Sequence, residues 1–157
     1  MNAAVRYVVL VAAVLFAAAL VSPGARANLG GEETESTDVN FQSGKEAIQK
    51  QDWKKAVAFL EKAVAADPKN ADARNYLGYS FRKLGDLNMA FQHYLEALKL
   101  NPKHRNAHEY IGEAYLMAGK LKEAEMHLAE LNRLCSPIPC EEQKMLKLAI
   151  EDHKKKK

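Results

Sequence analysis

Residues Ala71–Pro102 read ADARNYLGYSFRKLGDLNMAFQHYLEALKLNP, and this stretch decides the fold of the chain. Apolar side chains recur in both halves of it at the three-and-four spacing of an amphipathic helix. Gly85 and Asp86 separate the halves, because glycine adopts the left-handed conformation that ends a helix and aspartate caps the helix that follows. Pro102 ends the second half, since proline disfavours helical geometry at Asn101. The stretch therefore predicts one complete helical hairpin.

The same stretch resembles the tetratricopeptide repeat, a helix-turn-helix motif of about 34 residues. The motif has leucine and glycine, an aromatic residue three positions later, and then alanine, an aromatic residue, alanine and proline. The residues in those places are Leu77, Gly78, Phe81, Ala90, Tyr94, Ala97 and Pro102. Only the leading tryptophan of the motif is missing, and Arg74 stands in its place.

The pattern recurs one period away in both directions. The recurring residues are Gly44, Ala56, Leu60, Ala63 and Pro68 on one side, and Ile111, Gly112, Tyr115, Ala124 and Leu128 on the other. Three tandem units are therefore predicted, at about 38–70, 71–104 and 105–134. The resemblance implies an all-α fold, a right-handed superhelical stack of three helix-turn-helix hairpins.

In the first unit we expect Trp53 to pack against its own hairpin.

Residues 141–153 are predicted to form a last helix that caps the stack. Its apolar stripe consists of Met145, Leu146, Ala149 and Ile150. Leu131 stands where the earlier units have alanine, so we expect its larger side chain to pack against this stripe. The four lysines at 154–157 are predicted to form a basic tail in solvent.

The first 27 residues have the pattern of a secretory signal peptide. Arg6 supplies a positive charge, and Tyr7–Val21 is an uninterrupted apolar run that ends before a small-residue cleavage pattern at Ala27. The run is shorter than the roughly 20 residues that span a membrane. We therefore expect cleavage after Ala27, a periplasmic or secreted protein and no stable membrane anchor, with an uncleaved anchor as the alternative. Residues 28–37, NLGGEETEST, are predicted to be an acidic flexible leader.

Charge and motifs argue against several classes of function. The chain has 23 basic and 20 acidic side chains, so its net charge of +3 indicates no nucleic-acid partner. No nucleophile motif, phosphate-binding loop or zinc-protease signature appears in it. We therefore predict a protein that is not an enzyme and needs no cofactor.

The only two cysteines, Cys135 and Cys140, flank a short segment with two prolines. Because a signal peptide leads to an oxidising compartment, a disulfide that joins the cap to the third unit is predicted. The alternative is a thiol-redox or metal-carrier protein that uses the same pair. His104 and His108 lie one helical turn apart, but no third metal ligand accompanies them. We expect both to be surface histidines and predict no metal site.

The resemblance implies a concave groove, lined by the first helices of successive hairpins, that holds a peptide or a helix of a partner. In this register its residues are Phe41, Lys45, Ile48, Asp72, Asn75, Tyr79, Arg82, Asn106, Glu109, Glu113 and Leu116. Chaperone-binding members grip a terminal carboxylate with lysine, asparagine and arginine side chains. Those places hold Phe41, Lys45, Tyr76, Asn106 and Tyr110 here, so this clamp is not predicted. We predict a non-catalytic scaffold that binds another protein, with self-association through the groove as a further alternative.

Overall fold

A computed structural model describes residues 29–156, with the side chains of residues 39–156, and this part of the chain contains seven helices. The helices are α1 (Leu29–Gln49), α2 (Trp53–Ala66), α3 (Ala71–Lys83), α4 (Leu87–Leu100), α5 (Arg105–Met117), α6 (Leu121–Leu134) and α7 (Glu141–Lys155). Helices α1 and α2, α3 and α4, and α5 and α6 form three hairpins, and each hairpin packs on the next. The predicted all-α stack of helical hairpins is confirmed.

The turn inside each hairpin has the same local geometry. Gly85 has a φ of 85°, and the Asp86 carboxylate accepts a hydrogen bond of 3.1 Å from the backbone N–H of Met89. Gly119 repeats the conformation with a φ of 73°, whereas the first turn places Gln51 at a φ of 57°. All three turns therefore contain one residue with the left-handed backbone conformation, and in the first turn this residue is not a glycine.

One glycine in each unit allows a neighbouring helix to approach closely. The pairs in contact are Gly44 with Leu60, Gly78 with Tyr94 and Gly112 with Leu146. In the first two units the partner belongs to the same hairpin, but Leu146 belongs to α7. In the third unit, the glycine is therefore contacted by the last helix, whereas in the first two units it is contacted by the second helix of the same hairpin.

Helix α7 covers the apolar end of the stack, as predicted. Leu146 and Ile150 are buried in one cluster with Leu131. Met145 was expected to share this stripe, but it is exposed, because α7 turns only a narrow face toward α5 and α6. Leu148 is exposed as well.

Two helix boundaries differ from the predicted ones. The backbone of residues 29–37 continues α1 and is not a flexible leader, since its glutamates are strong helix formers and lie near a helix N-terminus, where acidic residues are favoured. At the other end α7 includes Lys154, whose ammonium lies 2.6 Å from the carboxylate of Glu125, so this lysine does not belong to a free tail.

The predicted signal peptide lies outside the described residues. Within them, no helix has the length and apolar character to cross a membrane.

Candidate functional site

Five partly exposed aromatic rings from the three hairpins form two groups in which neighbouring rings contact each other. Phe41 contacts Tyr76 with ring centroids 5.9 Å apart, Trp53 contacts Tyr79 at 5.8 Å, and Tyr79 contacts Tyr110 at 4.9 Å. Each ring remains partly exposed. We call these five residues the aromatic row. Aromatic pairs at such distances contribute about 0.5–1.5 kcal/mol each beyond the area they bury.

The ring contact of Trp53 was not predicted correctly. We expected this side chain to pack within its own hairpin, but its ring lies edge-on to Tyr79 in α3. Trp53 is the first residue of α2, and Lys83, the last residue of α3, lies over its ring. The spacing of residues within one helix gives no signal for such a contact between hairpins, so the sequence did not place Trp53 at the site.

Two lysines lie over the aromatic row. The ammonium of Lys45 is 5.4 Å from the ring centroid of Phe41. That of Lys83 is 5.8 Å from the ring of Trp53 and 5.4 Å from the ring of Tyr79. Ammonium groups at this distance are attracted by the ring faces. Lys83 was also missed from the sequence, although its place one helical turn after Tyr79 could have indicated it.

Arg82 connects the aromatic row to an acidic region. Its guanidinium carbon lies 5.3 Å from the ring of Tyr79 and 5.7 Å from the ring of Tyr110, and its Nη1 is 2.5 Å from Oε2 of Glu113. The residue is only 8% exposed. Arg82 was predicted to face a partner, but it ties α3 to α5 because the tyrosines and Glu113 enclose it.

Glu113 on the same helix and Glu142 on α7 act electrostatically on the carboxyl group of Glu109, and we call these three residues the carboxylate cluster. Glu109 is 8% exposed. Burial, together with the charges of Glu113 and Glu142, raises the pKa of Glu109 to about 7, against the opposing effect of Arg82. Among the described residues no lysine, arginine or histidine lies within ion-pair distance of the Glu109 carboxylate. This carboxyl group therefore holds its proton to a higher pH than an ordinary glutamate does.

The remaining predicted groove residues divide into exposed and buried groups. Asp72 is exposed and lies 3.0 Å from Nε2 of His104, whereas Ile48 packs at the edge of the first apolar cluster. Asn75 is fully buried. Leu116 is buried in the cluster of Leu146 because α7 covers it, so it adds to the core and not to an accessible surface. Asn106 is partly buried beside Tyr110.

The expected surface histidines are buried. The ring of His104 caps α5 by accepting a hydrogen bond of 3.3 Å from the backbone N–H of Ala107. His108 is held by Nδ1 of His127 at 2.9 Å and by the carbonyl oxygen of Pro102 at 3.0 Å. Burial and the neighbouring His108 lower the pKa of His127 to about 4. The expectation was wrong because each ring finds polar partners inside the fold. The described part of the chain has no group of three or more metal-ligating side chains.

Cys135 and Cys140 are bonded to each other, with their Cα atoms 5.4 Å apart. The bond joins the end of α6 to the start of α7. A redox function of this pair stays a prediction.

The chain matches the model of the family described as anaphase-promoting complex, cyclosome, subunit 3, over residues 49–131. The chain belongs to this family of tetratricopeptide-type repeats. The matched residues run from the end of α1 into α6, so they include most of the three hairpins described above. No curated protein matches the chain in sequence.

Solved structures of tetratricopeptide repeat domains share the fold. The Arabidopsis OM64 domain is 23% identical, with a TM-score of 0.70, over 77% of this chain and 98% of that one. The yeast Sti1 TPR2B domain, in a complex with pHsp70, is 15% identical, with a TM-score of 0.72, over 78% of this chain and 99% of that one. The Yersinia enterocolitica type III secretion chaperone SycD, in complex with a peptide of the translocator YopD, is 18% identical, with a TM-score of 0.70, over 78% of this chain and 95% of that one.

Proposed function

We propose that this chain is a non-catalytic scaffold that binds a peptide or helix of another protein on the concave surface formed by α1, α3 and α5. The aromatic row carries the proposal, because its five rings come from three hairpins and all remain partly exposed. Binding energy at protein interfaces is concentrated in such tyrosine and tryptophan side chains near the middle of the contact.

Two of the similar structures support peptide binding as the shared activity. The Sti1 domain is in a complex with pHsp70, and SycD is in a complex with a peptide of YopD. Those partners belong to those proteins. For this chain the proposal takes only the mode of recognition, in which an extended or helical segment lies across successive repeats.

The first test is the replacement of Tyr79 by alanine. Tyr79 contacts Trp53 and Tyr110 and lies under Lys83, so its loss removes the centre of the aromatic row. Peptides are first selected from a random-peptide display library on the purified protein, and their affinities are then measured by calorimetry. Tyr79→Ala should weaken binding by about 2 kcal/mol, or roughly thirtyfold.

Phe59→Ala is the matched control for this experiment. The Phe59 ring is also partly exposed and also lies near two lysines, Lys55 at 5.9 Å and Lys62 at 5.8 Å, but it is outside the aromatic row. This variant should bind as the parent does. Equal affinities of the parent and both variants would contradict the proposal. If the groove serves self-association, sedimentation should instead show oligomers of the parent and monomers of Tyr79→Ala.

We also propose that residues 1–27 direct export to the periplasm or the exterior and are removed after Ala27. The bonded pair Cys135 and Cys140 supports this proposal, because disulfides persist in oxidising compartments. The intact mass of the protein recovered from its own cells should correspond to a chain that begins at Asn28 and has both cysteines oxidised. A mass that includes Met1, with two free thiols, would reject it.

A further inference from the structure

Two histidine rings join the third hairpin to the loop that follows the second hairpin. The Nδ1 atoms of His108 on α5 and His127 on α6 lie 2.9 Å apart. Nε2 of His108 lies 3.0 Å from the carbonyl oxygen of Pro102, which belongs to the loop between α4 and α5. His108 is only 7% exposed. One buried ring therefore bonds to α6 on one side and to the loop after α4 on the other.

These contacts determine where the hydrogens of the two neutral rings lie. A carbonyl oxygen can only accept, so Nε2 of His108 must carry a hydrogen and donate it to Pro102. Nδ1 of the neutral His108 ring is then an acceptor, because a neutral imidazole has one donor and one acceptor. Nδ1 of His127 must therefore donate to it. We call His108 and His127 the histidine pair.

The histidine pair can accept one additional proton, but not two, without losing its contacts. With one added proton, a single hydrogen still lies between the two Nδ1 atoms, and Nε2 of His108 still donates to Pro102. With two added protons, both Nδ1 atoms carry a hydrogen, so two donors of like charge face each other at 2.9 Å. This arrangement is repulsive, so the two rings must separate.

The surroundings of the histidine pair do not compensate a second charge. The titratable and charged groups near it are Tyr115 on α5, Glu123, Glu130 and Arg133 on α6, and His104 with its partner Asp72. Glu130 is the carboxylate that favours a charge on His127, but it accepts hydrogen bonds from Arg133. Burial and the charge of His108 outweigh it and lower the pKa of His127 to about 4.

We infer that the histidine pair is an acid-sensitive switch, which holds the third hairpin to the second at neutral pH and releases it in acid. The release concerns the groove as well, because α5 also contains Tyr110, whose ring contacts Tyr79 of α3 at 4.9 Å. Acid should therefore loosen the aromatic row together with the fold. A stability measurement tests the switch without a partner, so its outcome is independent of the proposed function.

The direction of the pH effect follows from proton binding. The pKa of His127 in the folded protein, about 4, lies below the ordinary histidine value of 6.5. Between these values the unfolded chain binds a proton that the folded protein does not, so stability falls as the pH falls. From about pH 7 to about pH 5, this one group should raise the unfolding equilibrium constant roughly twentyfold.

The experiment compares the parent with His127→Asn by urea denaturation at about pH 7 and about pH 5. The asparagine amide supplies an N–H donor in place of Nδ1 but does not take up a proton in this range. The acid-induced rise in the unfolding constant should therefore be roughly twentyfold smaller in His127→Asn than in the parent. Equal rises in the two proteins would overturn the inference.

His153→Asn is the matched control. His153 on α7 is also partly buried, but it takes part in neither contact of the histidine pair. This variant should keep the acid response of the parent, and an equal loss of the response in both variants would contradict the assignment to His127. His93 and Glu109, which also have shifted pKa values, are present in all three proteins and cancel in the comparison.

A second measurement on the parent does not depend on the folding of a variant. Long-range proton–nitrogen NMR spectra show which nitrogen of each histidine ring carries the hydrogen. At about pH 8 we expect a hydrogen on Nε2 of His108 and on Nδ1 of His127, and two separate protonation steps as the pH is lowered. The opposite positions of these hydrogens, or two rings that titrate together near the ordinary histidine pKa of about 6.5, would overturn the inference.

Discussion

Replacement of Gly78 by valine should lower the free energy of unfolding by about 3 kcal/mol. A Cβ atom at this position would lie 2.8 Å from Cδ1 and 2.9 Å from Cε1 of Tyr94, and 3.1 Å from the backbone oxygen of Ala90. The ring of Tyr94 is fully buried, so it can move only if its neighbours in the core move as well. The two further methyl groups of valine increase the overlap. The gain in helix propensity from glycine to valine, a few tenths of a kcal/mol, does not offset it.

Lys99→Val is the control for this change. It introduces the same β-branched residue into a helix, at an exposed position whose ion pair with Glu96 spans 3.7 Å. We expect a loss of no more than about 0.5 kcal/mol, because exposed substitutions rarely cost more. Urea denaturation followed by circular dichroism measures both variants. Equal stabilities would mean that α3 and α4 do not meet at Gly78, and the register of the repeat would be wrong.

Replacement of Leu146 by aspartate should cost at least about 3 kcal/mol and expose the end of the stack. Leu146 is fully buried, and its side chain fills the space above Gly112, where a Cβ atom would lie only 2.6 Å from Leu146 Cδ2. A carboxylate at this place would have apolar neighbours, among them Leu131 and Ile150. We expect α7 to detach and to remain tethered through Cys140.

Leu148→Asp tests whether the effect comes from burial. The two leucines belong to the same helix, but Leu148 is 56% exposed. The same substitution should therefore change the melting temperature little. Thermal denaturation and light scattering distinguish the two variants. If Leu146→Asp remains as stable and as monomeric as Leu148→Asp, α7 is not a cap.

The hairpins could be predicted from sequence because their determinants are local. Gly85 and Asp86 specify a turn through backbone conformation and a hydrogen bond three residues away. The apolar spacing of one period then repeats twice, so a single hairpin predicts the next. The same reasoning did not predict where α1 begins. The helix starts at Leu29, in an acidic segment of helix-forming residues that has no apolar pattern.

The site was predicted less completely because its properties arise between hairpins. Position in the repeat predicted Tyr79 on the groove side of α3, where its ring is partly exposed, but it gave no signal that Glu113 would pair with Arg82 and bury it. The unusual pKa of Glu109 depends partly on Glu142, and the approach of α7 to α5 cannot be read from either helix alone. The spacing of His104 and His108 likewise contains no information about Asp72 or His127.

Photo-crosslinking tests the central claim, that the aromatic row contacts the partner. p-Benzoylphenylalanine replaces Tyr79 in one preparation and Phe59 in another, and both positions already hold a partly exposed aromatic ring. Each preparation is irradiated with a biotinylated peptide selected on the parent protein. We predict a covalent product from position 79 and none from position 59. A product from position 59 alone would show that the partner binds near Phe59 and not at the aromatic row, and would contradict the account.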